Sequence, residues 1–213
     1  MKIIRGVATA VILLSTMMVV GCGPSSTTSS TPEKAPAPAP KKDPVLYTGK
    51  SCLSQMAGLA GRWQQDALPF HMESSLNAES SGHDGKSTVW HALFASASRR
   101  TYKAFACSGS LLREEPARGV TSAAETPYAP NVPQLMFQTF LLHTDSDEAF
   151  KLAQEKGGAK LLEKDPQQPV LYLLDWDGKN KQLLWVVVYG NSSKGAKGKA
   201  VVDAGTGKFL RAG

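Results

Sequence analysis

The chain has 213 residues, of which 42% are hydrophobic and 20% charged, and a formal net charge of +6. That composition fits a globular protein and excludes collagen-like, fully disordered and polytopic membrane classes. Without residues 1–21 the balance is 22 basic against 18 acidic residues, and the resulting +4 is too mild to point to nucleic acid as a partner.

The N-terminus reads as an address. Met1-Lys2 to Arg5 is a short basic start, and Val7 to Val20 is an apolar run interrupted by Thr9, Ser15 and Thr16. As a helix this run would rise only ~21 Å, short of the ~30 Å hydrocarbon core, so residues 1–21 are expected to be a secretory signal and not a stable span. The run ends in Val19-Val20-Gly21-Cys22, which resembles the lipobox of bacterial lipoproteins. The resemblance implies that the Cys22 thiol carries a diacylglycerol and that cleavage before it frees an amine for a further acyl chain such as palmitate. Several chains together give the durable anchoring that one chain cannot. Gly23, and not Asp, follows the cysteine. By the same resemblance this favours the outer membrane if the cell has two.

Residues 22–43 read as the acylated cysteine and a tether. Ser25 to Thr31 is an unbroken Ser/Thr run, Pro36-Ala37-Pro38-Ala39-Pro40 alternates like a polyproline II spacer, and Lys41, Lys42 and Asp43 close the stretch. Such a segment cannot bury enough apolar area to offset its ordering entropy, and a disordered tether of up to ~60 Å is expected.

The folded part is expected over 44–213, as a first α+β unit at 44–130 and a second at 131–213. Leu53, Met56, Ala57, Ala60, Trp63 and Ala67 fall on one face of a helix from Ser51 to Ala67, ended by Leu68-Pro69. A strand at Met72 to Ser80, a turn at His83-Asp84-Gly85-Lys86, and strands at Ser87 to Ser96 and Arg100 to Cys107 complete the first unit. Residues 109–133, with four prolines, read as a long connection, and Gln134 to Leu142 as a strand buried on both faces. A second helix is expected to be capped by Ser146, with Asp147 and Glu148 in its first turn, and to stop at Gly157-Gly158. Strands at Val170 to Trp176, Gln182 to Tyr189 and Lys199 to Ala204 follow.

Each half therefore puts an amphipathic helix before an antiparallel sheet. Asp84-Gly85-Lys86 precedes Trp90 in one half, as Asp177-Gly178-Lys179 precedes Trp185 in the other. This pattern suggests an internal duplication. In the second half Ser146-Asp147-Glu148-Ala149, Ala153, Gly157-Gly158, Trp185-Val186-Val187-Val188 and the ending Asp203-Ala204-Gly205-Thr206-Gly207 resemble the PepSY domain. The resemblance covers residues 144–213, and the first half matches only in outline and lacks the Asp-Ala-x-Thr-Gly ending. It implies two tandem PepSY-like α+β units. Some PepSY-like domains inhibit peptidases as parts of propeptides, while many others sit in lipoproteins with no assigned role.

With Cys22 acylated, Cys52 and Cys107 remain. In an oxidising compartment they read as a disulfide closing a loop of about 56 residues, or as two separate buried thiols.

Candidate chemistry is sparse. Gly49-Lys50-Ser51 lacks the upstream glycine of a phosphate loop, and Cys107-Ser108-Gly109-Ser110 lacks the first glycine of a nucleophile elbow. His71, His83, His91 and His143 have no zinc-site spacing, and Glu114-Glu115 and Asp145, Asp147 and Glu148 read as loop and helix-start charges. No catalytic residue, metal or cofactor is expected. Trp63, Trp90 and Trp185 are placed in the core and Trp176 at the surface. The tip at 191–199, with Lys194, Lys197 and Lys199, could meet an anionic surface. The function expected is that of a non-catalytic, membrane-anchored envelope protein that binds a protein or peptide, its most specific form a peptidase inhibitor. The alternative is a structural or adhesive accessory working through the lysine tip.

Overall fold

The computed structural model describes residues 43–213, so the signal, Cys22 and nearly all of the tether lie outside it. The described residues form one compact unit.

The chain enters through β1 (Tyr47–Thr48) directly into α1 (Gly49–Trp63). The Thr48 hydroxyl caps the helix by accepting the Ser51 N–H at 3.4 Å. The helix ends four residues earlier than its apolar spacing suggests, because Gln64 turns to extended backbone. Leu68 and Pro69 then begin a strand, β2 (Leu68–Ser74), in place of the expected Met72 to Ser80. Pro69 brings no N–H to the ladder, and the register shifts between Pro69 and His71, which leaves Phe70 as a bulge. β3 (Lys86–Ser87) pairs with β1 in a separate two-stranded ladder, and the hairpin β4 (Val89–Ser96) and β5 (Thr101–Ser108) follows as the sequence suggests. The connection over 109–133 contains two short strands that its sequence does not announce, β6 (Gly119–Ser122) and β7 (Thr126–Pro127), both paired with β5.

The strand expected over Gln134 to Leu142 does not form. Two single-turn 3-10 helices, Val132–Gln134 and Thr139–Leu141, stand there, and Phe137 and Leu142 are buried in the main core with Leu141 packed partly against it. Its apolar density reflects two anchoring side chains on a loop and not a pleated face. The second helix, α2 (Ser146–Ala153), is capped by Asp145, one residue earlier than expected, in a capping box with Glu148. Lys156 and Gly157 (φ 113°) leave helical geometry, and α3 (Ala159–Lys164) resumes it beyond the kink. Four strands then follow: β8 (Val170–Asp177), β9 (Gln182–Tyr189), β10 (Gly198–Asp203) and β11 (Phe209–Ala212), the last not foreseen.

The fold is α+β with one large sheet. Its strands lie in the order β11-β10-β9-β8-β2-β4-β5-β6, all antiparallel, with β7 also on β5. The two halves join through β2 and β8, which pair Met72 with Leu174 and Glu73 with Leu173. One cross-strand row of the sheet reads Phe105, Ala92, Met72, Leu174, Trp185, Val202 and Phe209. On this face α1 packs through Cys52, Leu53, Met56 and Ala60, and α2 through Ala149 and Ala153, giving the main core. The helix N-termini meet over the seam, where the Gly49 N–H donates to Ser146 Oγ and the Lys50 N–H to Asp145 Oδ1, each at 2.8 Å. Ser146 Oγ in turn donates to the Gly85 carbonyl at 2.6 Å. A disulfide joins Cys52 on α1 to Cys107 on β5, inside that core.

Candidate binding surface

The sheet's other face carries no helix. Residues directly paired across antiparallel strands share a face, so the register gives a second row: Thr121, Ala106, His91, Glu73, Leu173, Val186, Val201 and Arg211. Neighbouring rows place Leu171, Val188 and Lys199 side by side, and Asp175, Leu184 and Asp203. Over the first half this face is partly sheltered by the connection, where Val132, with Tyr128, Leu135 and Met136, packs on Phe70 and Ala95. From β2 to β11 no helix of the main core lies on it. Leu171, Leu173 and Val186 are half-buried, while Leu184, Val188 and Val201 are buried, so only part of this face reaches solvent. Asn191, Ser192 and Ser193 lean over one end and form with Glu73, Leu171 and Leu173 the walls of a cleft of about 390 Å³.

A charged cluster marks the seam on this open face. His71 Nδ1 lies 2.7 Å from Asp175 Oδ1, and His71 Nε2 lies 3.7 Å from Glu73 Oε2. The Asp175 and Glu73 carboxylates favour the imidazolium and push the His71 pKa up to about 9, against the opposing effect of burial. His71 in return lowers the Glu73 pKa. The cluster thus bridges β2 and β8 with one cation between two carboxylates.

The other sequence-predicted residues are dispersed. Lys197 is held by Asp165 at 2.7 Å, Lys199 lies within β10, and Lys194 stands exposed at the tip. Trp176, expected at the surface, is half-buried and packs on the core, lining a cleft of about 250 Å³ with His143, Gln182 and Asp203. Trp63, expected in the core, is also half-buried, with Nε1–H donating to Glu125 Oε2 at 3.1 Å. Glu125 also accepts from Thr101 and Arg99, and these donors bring its pKa down to about 2. Trp90 and Trp185 are fully buried as expected. His83 and His143 donate to the carbonyls of Gln168 and Gly205. In the Asp-Ala-x-Thr-Gly ending, Asp203 Oδ1 accepts the N–H groups of Gly205 and Thr206, and Oδ2 the Gln182 amide, so this acid is a turn-former. Among the described residues no group of three or more His, Cys, Asp or Glu is arranged to hold a metal ion, and no helix is long and apolar enough to cross a membrane.

The open face was missed as a site in the sequence because strands β8 and β9 are apolar at both parities. Alternation is the signal that would mark a solvent-facing side, and Leu171 to Leu174 and Leu183 to Val188 have none.

No protein-family model matches this chain, so the PepSY resemblance has no support from that comparison. No curated protein matches it either. A solved structure to which it is similar is a 1.85 Å crystal structure of a candidate lipoprotein from Clostridium difficile 630. The two are 10% identical with a TM-score of 0.44, over 83% of this chain and 95% of that one, a likeness too low to carry an argument.

Proposed function

We propose that this is a lipid-anchored, non-catalytic envelope protein whose sheet presents a binding surface for a protein partner. The observation that carries the reading is the one-sided sheet: α1, α2 and α3 cover one face, and the opposite face keeps Leu171, Leu173 and Val186 partly exposed at the centre, beside a cleft of about 390 Å³ walled by Asn191, Ser192 and Ser193. Partly exposed apolar side chains beside a cleft are the kind of surface that a partner can cover with a gain in free energy. The anchor is read from Val19-Val20-Gly21-Cys22 and the tether behind it. The tandem PepSY-like reading is supported by the matching places of Trp90 and Trp185, each in the second long strand of its half.

The test compares residues 44–213 with a Leu173→Glu variant as baits against cross-linked envelopes. A protein retained by the first and lost with the second supports the reading. Identical capture by both baits, or capture of lipid and polymer alone, overturns it. Loss of membrane attachment in Cys22→Ala, followed by fractionation, tests the anchor separately.

A further inference from the structure

The cleft beside Trp176 shares no residue with the one over Leu171 and Leu173. Trp176, near the end of β8, pairs with Leu183 of β9, and Leu183 belongs to the main core, so the indole stands at the margin of the helix-bearing face. Leu141 and His143, before α2, form a second wall, and Gly205 and Thr206, after β10, a third. The His143 N–H donates to the Ala204 carbonyl at 3.0 Å and ties these two walls together. Leu183 and Asp203 are buried at the base, while His143, Lys181 and Thr206 are exposed around the mouth. The cleft thus combines an apolar floor and one aromatic ring with a polar rim.

The bonds already made fix what the rim has left to offer. His143 Nδ1 lies 3.0 Å from the Gly205 carbonyl, which can only accept, so Nδ1 carries the hydrogen and Nε2 of the neutral ring is an acceptor. Gln182 Nε2–H donates to Asp203 Oδ2 at 3.1 Å, which leaves Gln182 Oε1 as an acceptor. The other Asp203 oxygen accepts the N–H groups of Gly205 and Thr206. Lys181 makes no ion pair among the described residues and adds a donor, and the Thr206 hydroxyl serves as either.

We propose that this cleft binds a neutral saccharide, with the apolar C–H face of a sugar ring laid on Trp176 and its hydroxyls bonded to His143, Lys181, Gln182 and Thr206. The site is separate from the protein-binding surface of the sheet and goes beyond that reading. A ligand that meets acceptors and donors side by side must itself present both at short intervals, and a row of ring hydroxyls does so. A carboxylate would suit Lys181 but would face the Asp203 acid, the Gln182 oxygen and the His143 lone pair. A purely apolar group would strip water from the rim and leave those polar groups unpaired. The space of about 250 Å³ is small for a ligand site and suits a short saccharide.

The test is a proton–nitrogen NMR titration of residues 44–213, which hold every element of the fold, with maltose, cellobiose and di-N-acetylchitobiose, and with sodium benzoate as a carboxylate for comparison. The expected result is a saturable shift, with at least one saccharide, of the Trp176 indole N–H and of the His143, Gly205 and Thr206 amides, and no such shift with benzoate. Gln182→Ala and Thr206→Ala each weaken that binding about threefold to tenfold, and Trp176→Ala abolishes it. Lys181→Gly weakens it to a similar degree without loss of thermal stability, because the φ of 56° at Lys181 suits glycine. Weaker binding by that variant therefore cannot be laid to misfolding. Failure of all the saccharides to move these signals at tens of millimolar overturns the proposal. So does benzoate binding in their place, or a saccharide response that Trp176→Ala and Lys181→Gly leave unchanged.

Discussion

The indole rings of Trp90 and Trp185 meet across the seam of the sheet, with centroids 6.0 Å apart and planes at 66°. Each ring also holds the entrance of a helix. Trp90 Nε1–H donates to the carbonyl of Tyr47, two residues before α1, and Trp185 Nε1–H to that of Thr144, two residues before α2, both at 2.9 Å. The two halves thus share one aromatic centre, and each tryptophan ties its own strand to its own helix. The two Asp-Gly-Lys turns that precede these tryptophans in the sequence thus lead to the same kind of helix tie in each half.

Replacing either tryptophan with Phe keeps most of the ring and removes the hydrogen bond. Each substitution is expected to cost about 1–3 kcal/mol by leaving a helix-entry carbonyl without its donor. Urea unfolding of the singles and the double is the check. Because the rings are in contact, the double should depart from additivity by about 0.5–1.5 kcal/mol. Independent effects would mean that the seam does not couple the halves.

The disulfide closes a long loop, with a sequence separation of 55 between Cys52 and Cys107. In the chain-entropy view its removal costs about 4 kcal/mol, mostly by releasing the unfolded chain. The paired substitution Cys52→Ala/Cys107→Ala should lower the unfolding free energy by about that amount and steepen its dependence on denaturant, because the released unfolded chain is more expanded. It should leave the fold of β8 to β11 intact by NMR, since both cysteines lie in the first half.

Stability should vary with pH through the seam cluster. His71 has its folded pKa raised from 6.5 to about 9, so its contribution is fully present below pH 6.5 and is lost as pH rises through 9. Glu73 has its pKa lowered, so its contribution is present above about pH 4.5 and is lost on acidification. Unfolding free energy should therefore fall between pH 7 and 9.5 in the wild type and change much less in His71→Gln. Parallel profiles for the two proteins would show that the cluster does not hold the seam.

Gly85 has φ of +78°, and a Cβ there would run into the backbone of Ser146 and Asp147 at the start of α2. Gly85→Ala should thus be destabilising by about 2 kcal/mol or more, from both backbone strain and the displaced helix entry. The substitution Gly119→Ala, where φ is +101° but no atom approaches, isolates the strain alone and should cost less. Thermal unfolding of the two variants gives the comparison.

Local chemistry was readable from the sequence. Cys52, Leu53, Met56 and Ala60 fall on a buried face because helical spacing depends only on near neighbours, and the Asp-Gly turns place β4, β8 and β9 within a residue or two. The capping box moved the α2 start by one residue, since Asp145 bonds its own first turn while Ser146 is taken by Gly85 and Gly49 across the fold. What tertiary structure alone decided is non-local. That β2 pairs with β8, fusing two half-sheets into one, depends on residues about a hundred positions apart, and no period in the chain encodes it. The same holds for the 134–142 segment, whose apolar side chains looked like a strand until Phe137 and Leu142 were seen to be plugs on a loop. The open face follows from both facts. A run apolar at every position fixes a strand but not which side stays uncovered, and that side is chosen by where the helices land.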